Sequence, residues 1–171
     1  DTNSRLPGLL AATAMGVYLL VLVGATVALT DAAAACSSFP ACGNGWALPG
    51  SENGWIAFGH RLAAVGVGVL GAATAVTAIR ERASRRVLAA LAVAGALYPA
   101  QAAFGDVIAS IGASPTLSAI HLSLGVTIFG GIVLALAWTL ERRTGDPDEE
   151  PTGVPERDLP PVEERNPSIP T

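Results

Sequence analysis

His60 and His121 are the only two imidazoles in a chain of 171 residues. Each sits inside a long apolar stretch, "IAFGHRLAAV" and "SAIHLSLGV". Strongly polar side chains are costly in hydrocarbon and normally face a bundle interior or a cavity. Two uses suit such a pair. Each ring can make an interhelical hydrogen bond. Alternatively, paired rings from facing helices can ligate haem iron, one on each side of the macrocycle. A zinc site wants three or four ligands, and the neighbouring residues do not offer them.

Three further features surround the pair. Arg61 follows His60 directly and needs either a route to the surface, with its stem along the helix, or a carboxylate such as a haem propionate. Gln101 can hydrogen-bond a cofactor or a neighbouring helix. Cys36 and Cys42 stand six apart in "ACSSFPACGNGW", with Pro40 shaping the turn between them. Outside the cytoplasm such a pair forms a disulfide. That disulfide is either a loop staple or a redox-active pair that exchanges with thiols.

The elements that must position these residues are apolar and long. The chain is 51% hydrophobic with a mean hydropathy of +0.49, too apolar for an ordinary soluble domain. Four stretches, Pro7–Thr30, Gly54–Ile79, Val87–Phe104 and Pro115–Leu140, are each long enough to cross about 30 Å of hydrocarbon. The first has an arginine ahead of it, as a signal peptide would. Its apolar run exceeds the usual signal length, which favours a retained span. The expected fold class is all-α: an integral membrane four-helix bundle over residues 1–143, followed by a disordered acidic C-terminal tail over 144–171. The tail is rich in Pro, Glu and Asp and cannot bury enough surface to offset ordering its backbone.

Arginines orient the bundle. All ten basic residues are arginine. Arg80, Arg82, Arg85 and Arg86 crowd the connection between spans two and three, while the connections at about 31–53 and 105–114 contain none. The positive-inside rule then places both termini in the cytoplasm and the cysteine loop outside a cell membrane. Nine of the fourteen acids fall in Glu141–Thr171, so the net charge of −4 says little about the bundle. No basic stripe suggests nucleic acid. Spans two and four both run inward. His60 and His121 each lie about six residues in, roughly 9 Å at 1.5 Å per residue. The two rings are therefore expected at one depth, in the outer half of the bundle. Gln101, near the outer end of span three, joins them there. The small-residue runs "GVGVLGAATA" and "SLGVTIFGG" either leave room for a flat ring or let helices approach closely.

Taken in order, "CSSFPAC", then "HR" at the start of span two, then "QAAFGDVIASIGASP" leading into "IHLSLGV", resemble the haem A synthase family of cytochrome-oxidase assembly proteins. The resemblance covers about residues 7–140 and is to one of the family's two four-helix halves, as in half-length archaeal-type members. It implies haem b ligated through its iron by His60 and His121, Arg61 at a propionate and a Cys36–Cys42 disulfide. It also implies an oxidoreductase that converts the methyl group of haem O to the formyl of haem A, with haem O and haem A as substrate and product. The partners it implies are a second copy of the chain, haem O synthase and oxidase subunits, beside haem and the lipid bilayer. One departure weighs against catalysis. The family's usual glutamate, three residues before the first histidine, is Ala57 here, and the nearest acid is Glu52. Ser38-Phe39 also stands where the family commonly has Asp-Trp. A non-catalytic bis-histidine b-type cytochrome or haem chaperone is therefore the alternative. A third reading is a cofactor-free assembly protein whose histidines only pack helices.

Overall fold

The computed structural model describes residues 4–36, 42 and 47–144. It contains four α-helices: α1 (Leu6–Leu29), α2 (Glu52–Arg80), α3 (Arg85–Ile111) and α4 (Pro115–Thr144), with a single 3-10 turn at Ala32–Ala35 between α1 and α2. Among the described residues there is no strand. The expected tail lies, beyond Thr144, outside the described residues, as do Ser38, Phe39 and Pro40 of the cysteine loop.

Three of the four helices start at a serine cap. The Ser51 hydroxyl accepts from the Gly54 N–H, the Ser84 hydroxyl from the Val87 N–H and the Ser114 hydroxyl from the Leu117 N–H. These caps satisfy donors that the first turn leaves orphaned. Pro115 occupies the first position of α4, where its missing N–H costs nothing. The Ser51 cap starts α2 at Glu52, so that residue belongs to the helix rather than to the loop.

The third span runs further than its apolar residues predict, through Ile111 rather than Phe104. Asp106 interrupts the apolar run, but a carboxylate does not break a helix. The helix ends where Gly112 takes φ +94°, a conformation that a side chain disfavours. Pro99 lies inside α3 and removes one ladder hydrogen bond, as membrane helices tolerate.

The helices have 24, 29, 27 and 30 residues, roughly 36–45 Å at 1.5 Å per residue. All four are long and apolar enough to cross a membrane. Leu62, Val69, Val93 and Leu134 are more than half exposed, as expected of side chains that face lipid. The protein is thus a multi-pass membrane protein.

The helices form a ring in which α1 packs on α2 and α4, and α3 packs on α2 and α4. The α2–α3 seam is the thinnest. Diagonal partners keep their backbones apart: no Cα of α2 comes within 8 Å of one in α4.

Packing is unequal along the ring. Leu6, Leu10, Val17, Ala78, Val87, Leu91, Ile128 and Ile132 form one core, built from the start of α1, the end of α2, the start of α3 and the second half of α4. Gly16 lets α1 approach α2 closely there, since a Cβ at that position would stand 3.2 Å from a Val67 methyl. Thr13 and Thr74 are buried and share a 2.8 Å hydrogen bond across the same seam. Each also contacts a carbonyl of its own helix, at Leu9 and Leu70. Glu81 fastens the end further by accepting from the Ser4 hydroxyl and the Arg5 N–H. At the opposite end Ala32, Cys36 and Ala57 form a second, small cluster, closed by the Cys36–Cys42 disulfide. Between the two clusters the bundle is hollow.

Candidate functional site

The hollow is a cavity of about 660 Å³, within the roughly 300–1,000 Å³ of ordinary ligand pockets. All four helices contribute to its wall, and His60, Arg61, Gln101 and His121 all line it. The sequence-predicted polar residues are thereby brought together.

His60 comes eight residues after the start of α2 and His121 six after the start of α4. That offset is about 3 Å of helix rise. Their helices are diagonal partners, so the cavity separates them. Each ring rests against a glycine of the preceding helix. A Cβ on Gly24 would stand 3.1 Å from Cε1 of His60, and a Cβ on Gly105 would stand 2.9 Å from Cε1 of His121. Contacts that close require something to move, so these two glycines make room for the rings. Phe104 lies tilted against His121 with ring centroids 6.1 Å apart.

Neither imidazole is hydrogen bonded among the described residues, and Nδ1 of each is buried without a partner. Among the described residues, neither ring makes the interhelical hydrogen bond that the packing-only reading expects. Buried polar atoms are normally satisfied, and an unpartnered one in a cavity marks a place for a ligand.

Gln101 spans α3 and α4. Its Nε2 donates to the main-chain carbonyl of His121 at 2.7 Å, while its Oε1 is buried and unpartnered. Arg61 sits at the rim beneath the disulfide loop. Its Nη2 donates to the Cys36 carbonyl at 2.6 Å and lies 3.8 Å from Oδ1 of Asp106. The arginine is mostly buried and the aspartate half exposed. The guanidinium therefore does more than reach for the surface: it ties α2 to the cysteine segment and to α3.

Two contributors carried no sequence expectation. Asp106 appeared to lie in a connection, yet it is helical and lines the cavity. Tyr98 donates to the Ala64 carbonyl at 2.6 Å and bridges the α2–α3 seam. A Cβ on Gly68 would meet its ring at 3.1 Å. The usable signal was helical spacing, since positions 98, 101, 105 and 108 recur every three or four residues on one face.

The chemistry of the donors is narrow. Among the described residues no three His, Cys, Asp or Glu side chains gather to hold a metal ion. Asp106 is the one acid among the described residues of the cavity wall. Ala57, the position of the resembled family's glutamate, is buried and lines the same wall with a methyl group. Two unbonded imidazoles across an apolar gap fit a flat metal chelate that brings its own equatorial ligands. That donor set fits haem.

Comparison with known proteins adds two findings. Residues 50–158 match the family model COX15-CtaA, described as cytochrome oxidase assembly protein. Curated relatives matching most of the chain carry a different name. The chain is 55% identical over 170 residues, 97% of its length, to a protoheme IX farnesyltransferase of Haloquadratum walsbyi, of which it covers 36%. It is 50% identical over 148 residues, 86% of its length, to a protoheme IX farnesyltransferase of Haloarcula marismortui, of which it covers 32%. A heme A synthase of Geobacillus kaustophilus is 41% identical over 64 residues, 37% of this chain and 20% of that protein. The chain thus spans about a third of the farnesyltransferases that it matches. These relatives overturn the expectation of a haem A synthase that oxidises the haem O methyl group. The physical counterpart is Ala57, which leaves the cavity without a carboxylate where the resemblance required one.

Proposed function

We propose, on the premise that the chain belongs to the COX15-CtaA family of cytochrome oxidase assembly proteins, that it is a membrane module holding protohaem for prenylation. The relatives' name supplies the substrate, protohaem IX. The chain covers a third of those relatives, and its cavity offers no acidic cluster among the described residues to carry a prenyl diphosphate through a metal ion. This reading gives the four helices the task of holding the substrate and leaves the transfer step outside their cavity. The four-helix unit keeps a water-insoluble substrate in place.

One observation carries the reading: His60 and His121 line one cavity from helices whose backbones stand apart, and neither ring is hydrogen bonded among the described residues. In this role His60 and His121 hold the iron. The apolar wall excludes water from the macrocycle, and Arg61 offers a cation for a propionate at the rim. Gln101 fixes the α4 backbone at His121. The disulfide and Arg61 hold the end of the cavity closed. Arginine placement supports an orientation with the disulfide outside and both helix-bundle termini inside.

Optical titration of the purified, detergent-solubilised protein with protohaem tests the proposal. A saturable low-spin spectrum at one haem per chain is expected, with the bound haem recovered unprenylated. A protein that stays folded and colourless sinks it.

A further inference from the structure

A second pocket, of about 310 Å³, opens at the arginine end of the bundle. It is lined by Ser84, Arg85 and Arg86 at the start of α3 and by Trp138, Glu141 and Arg142 at the end of α4. Three arginines from two helices, all solvent-exposed, thus line one pocket with one acidic residue. Among the described residues none of the three arginines forms an ion pair, although Glu141 lines the same pocket. Ser84 caps the Val87 N–H at the start of α3, which leaves the first two main-chain N–H groups without an acceptor within the helix, and the positive end of its dipole favours an anion. Trp138 is half-buried near the end of a membrane-spanning helix, where indoles lie at headgroup level.

Arginines that merely orient the bundle would not need to line a common pocket from two helices. We propose that this pocket binds the phosphate of an anionic phospholipid headgroup. Arginine matches phosphate oxygens in forked geometry, and basic pockets between membrane helices suit such headgroups. A free phosphate or diphosphate offers the same oxygens. The lipid is favoured because Trp138 sets the pocket at the depth where acyl chains would anchor its phosphate. Arg80 and Arg82 belong to the same end but do not line the pocket, which makes them the control.

Native mass spectrometry of the full chain in neutral detergent tests the assignment. The probes are phosphatidylglycerol, phosphatidylcholine and inorganic diphosphate. One phosphatidylglycerol per chain should be retained and phosphatidylcholine lost. Arg85→Gln with Arg142→Gln should weaken retention by roughly fivefold per arginine, whereas Arg80→Gln with Arg82→Gln should change it less than twofold. Equal retention of phosphatidylcholine, or equal loss in the control pair, overturns the proposal. Diphosphate bound in place of the lipid assigns the pocket to a free anion and overturns it too. Should the double variant fail to fold, the native chain answers alone. In a chain with Trp46→Phe and Trp55→Phe, brominated phosphatidylglycerol in phosphatidylcholine nanodiscs should quench the Trp138 emission beyond its mole fraction, and quenching that only tracks mole fraction refutes the site.

Discussion

Gln101 of α3 donates its side-chain amide to the main-chain carbonyl of His121 on α4, at 2.7 Å. The bond joins the two helices beside the ring that the cavity needs in place. Gln101→Leu keeps the bulk and deletes the donor. Interhelical bonds of this kind contribute roughly 0.6–1.7 kcal/mol in membranes, so thermal unfolding should register a small loss. Haem retention should fall more than that loss implies, because α4 is released at the ligand. Unchanged haem retention would show that the bond only fastens helices.

His60→Ala and His121→Ala should each abolish the low-spin bis-imidazole spectrum while leaving the bundle folded. Both positions lie outside the main apolar core, so circular dichroism should show helix content retained. A low-spin spectrum that persists in either variant excludes that residue as a ligand.

Gly24 and Gly105 offer a steric version of the same test. Valine at position 105 would meet His121 at 2.9 Å from its first carbon, and valine at 24 would meet His60 at 3.1 Å. Either should displace a ring and abolish haem uptake. Gly95→Val, where a Cβ meets nothing within 4 Å, should leave uptake intact. Equal behaviour of all three would mean that the glycines serve the helices rather than the rings.

Thr13 and Thr74 test the opposite end. Thr13→Val and Thr74→Val each remove a buried partner, and a double-mutant cycle should give a coupling of about 0.6 kcal/mol. Haem affinity should not move, since this pair lies in the packed part of the bundle rather than in the cavity wall. A change in haem affinity would mean that the two ends are coupled.

Cys36→Ser with Cys42→Ser opens a small loop, whose closure contributes about 2 kcal/mol in the chain-entropy account. The Cys36 carbonyl that Arg61 grips should then lose its fixed position, and haem should dissociate faster. Arg61→Gln should reproduce the faster dissociation with the disulfide intact. A normal off-rate in both variants would remove the rim from the account.

Much of this architecture is legible in the residues themselves. Four apolar runs mark the helices, and counting from the starts of the second and fourth sets His60 and His121 nearly level. Asp106 misleads because a charge ends an apolar count without ending a helix; Gly112 does that by its backbone conformation. Gly24 and Gly105 could not be singled out among nineteen glycines, because their role depends on which ring faces them across a seam. Arg61 showed its need for a partner but not the choice of one, since a main-chain carbonyl leaves no mark in a sequence. The chemistry was the least legible part. Two imidazoles suggest a haem ligand pair without saying what reaction it would serve, and Ala57 was the residue that already argued against oxidation.

The unequal packing along the bundle axis bears on how the chain tolerates change. A residue that lines the cavity has open space on one side, whereas Leu10 and Val87 of the larger core are enclosed all round. Side chains of the wall can thus be exchanged, and the character of the cavity altered, at less cost to the scaffold than an exchange in that core.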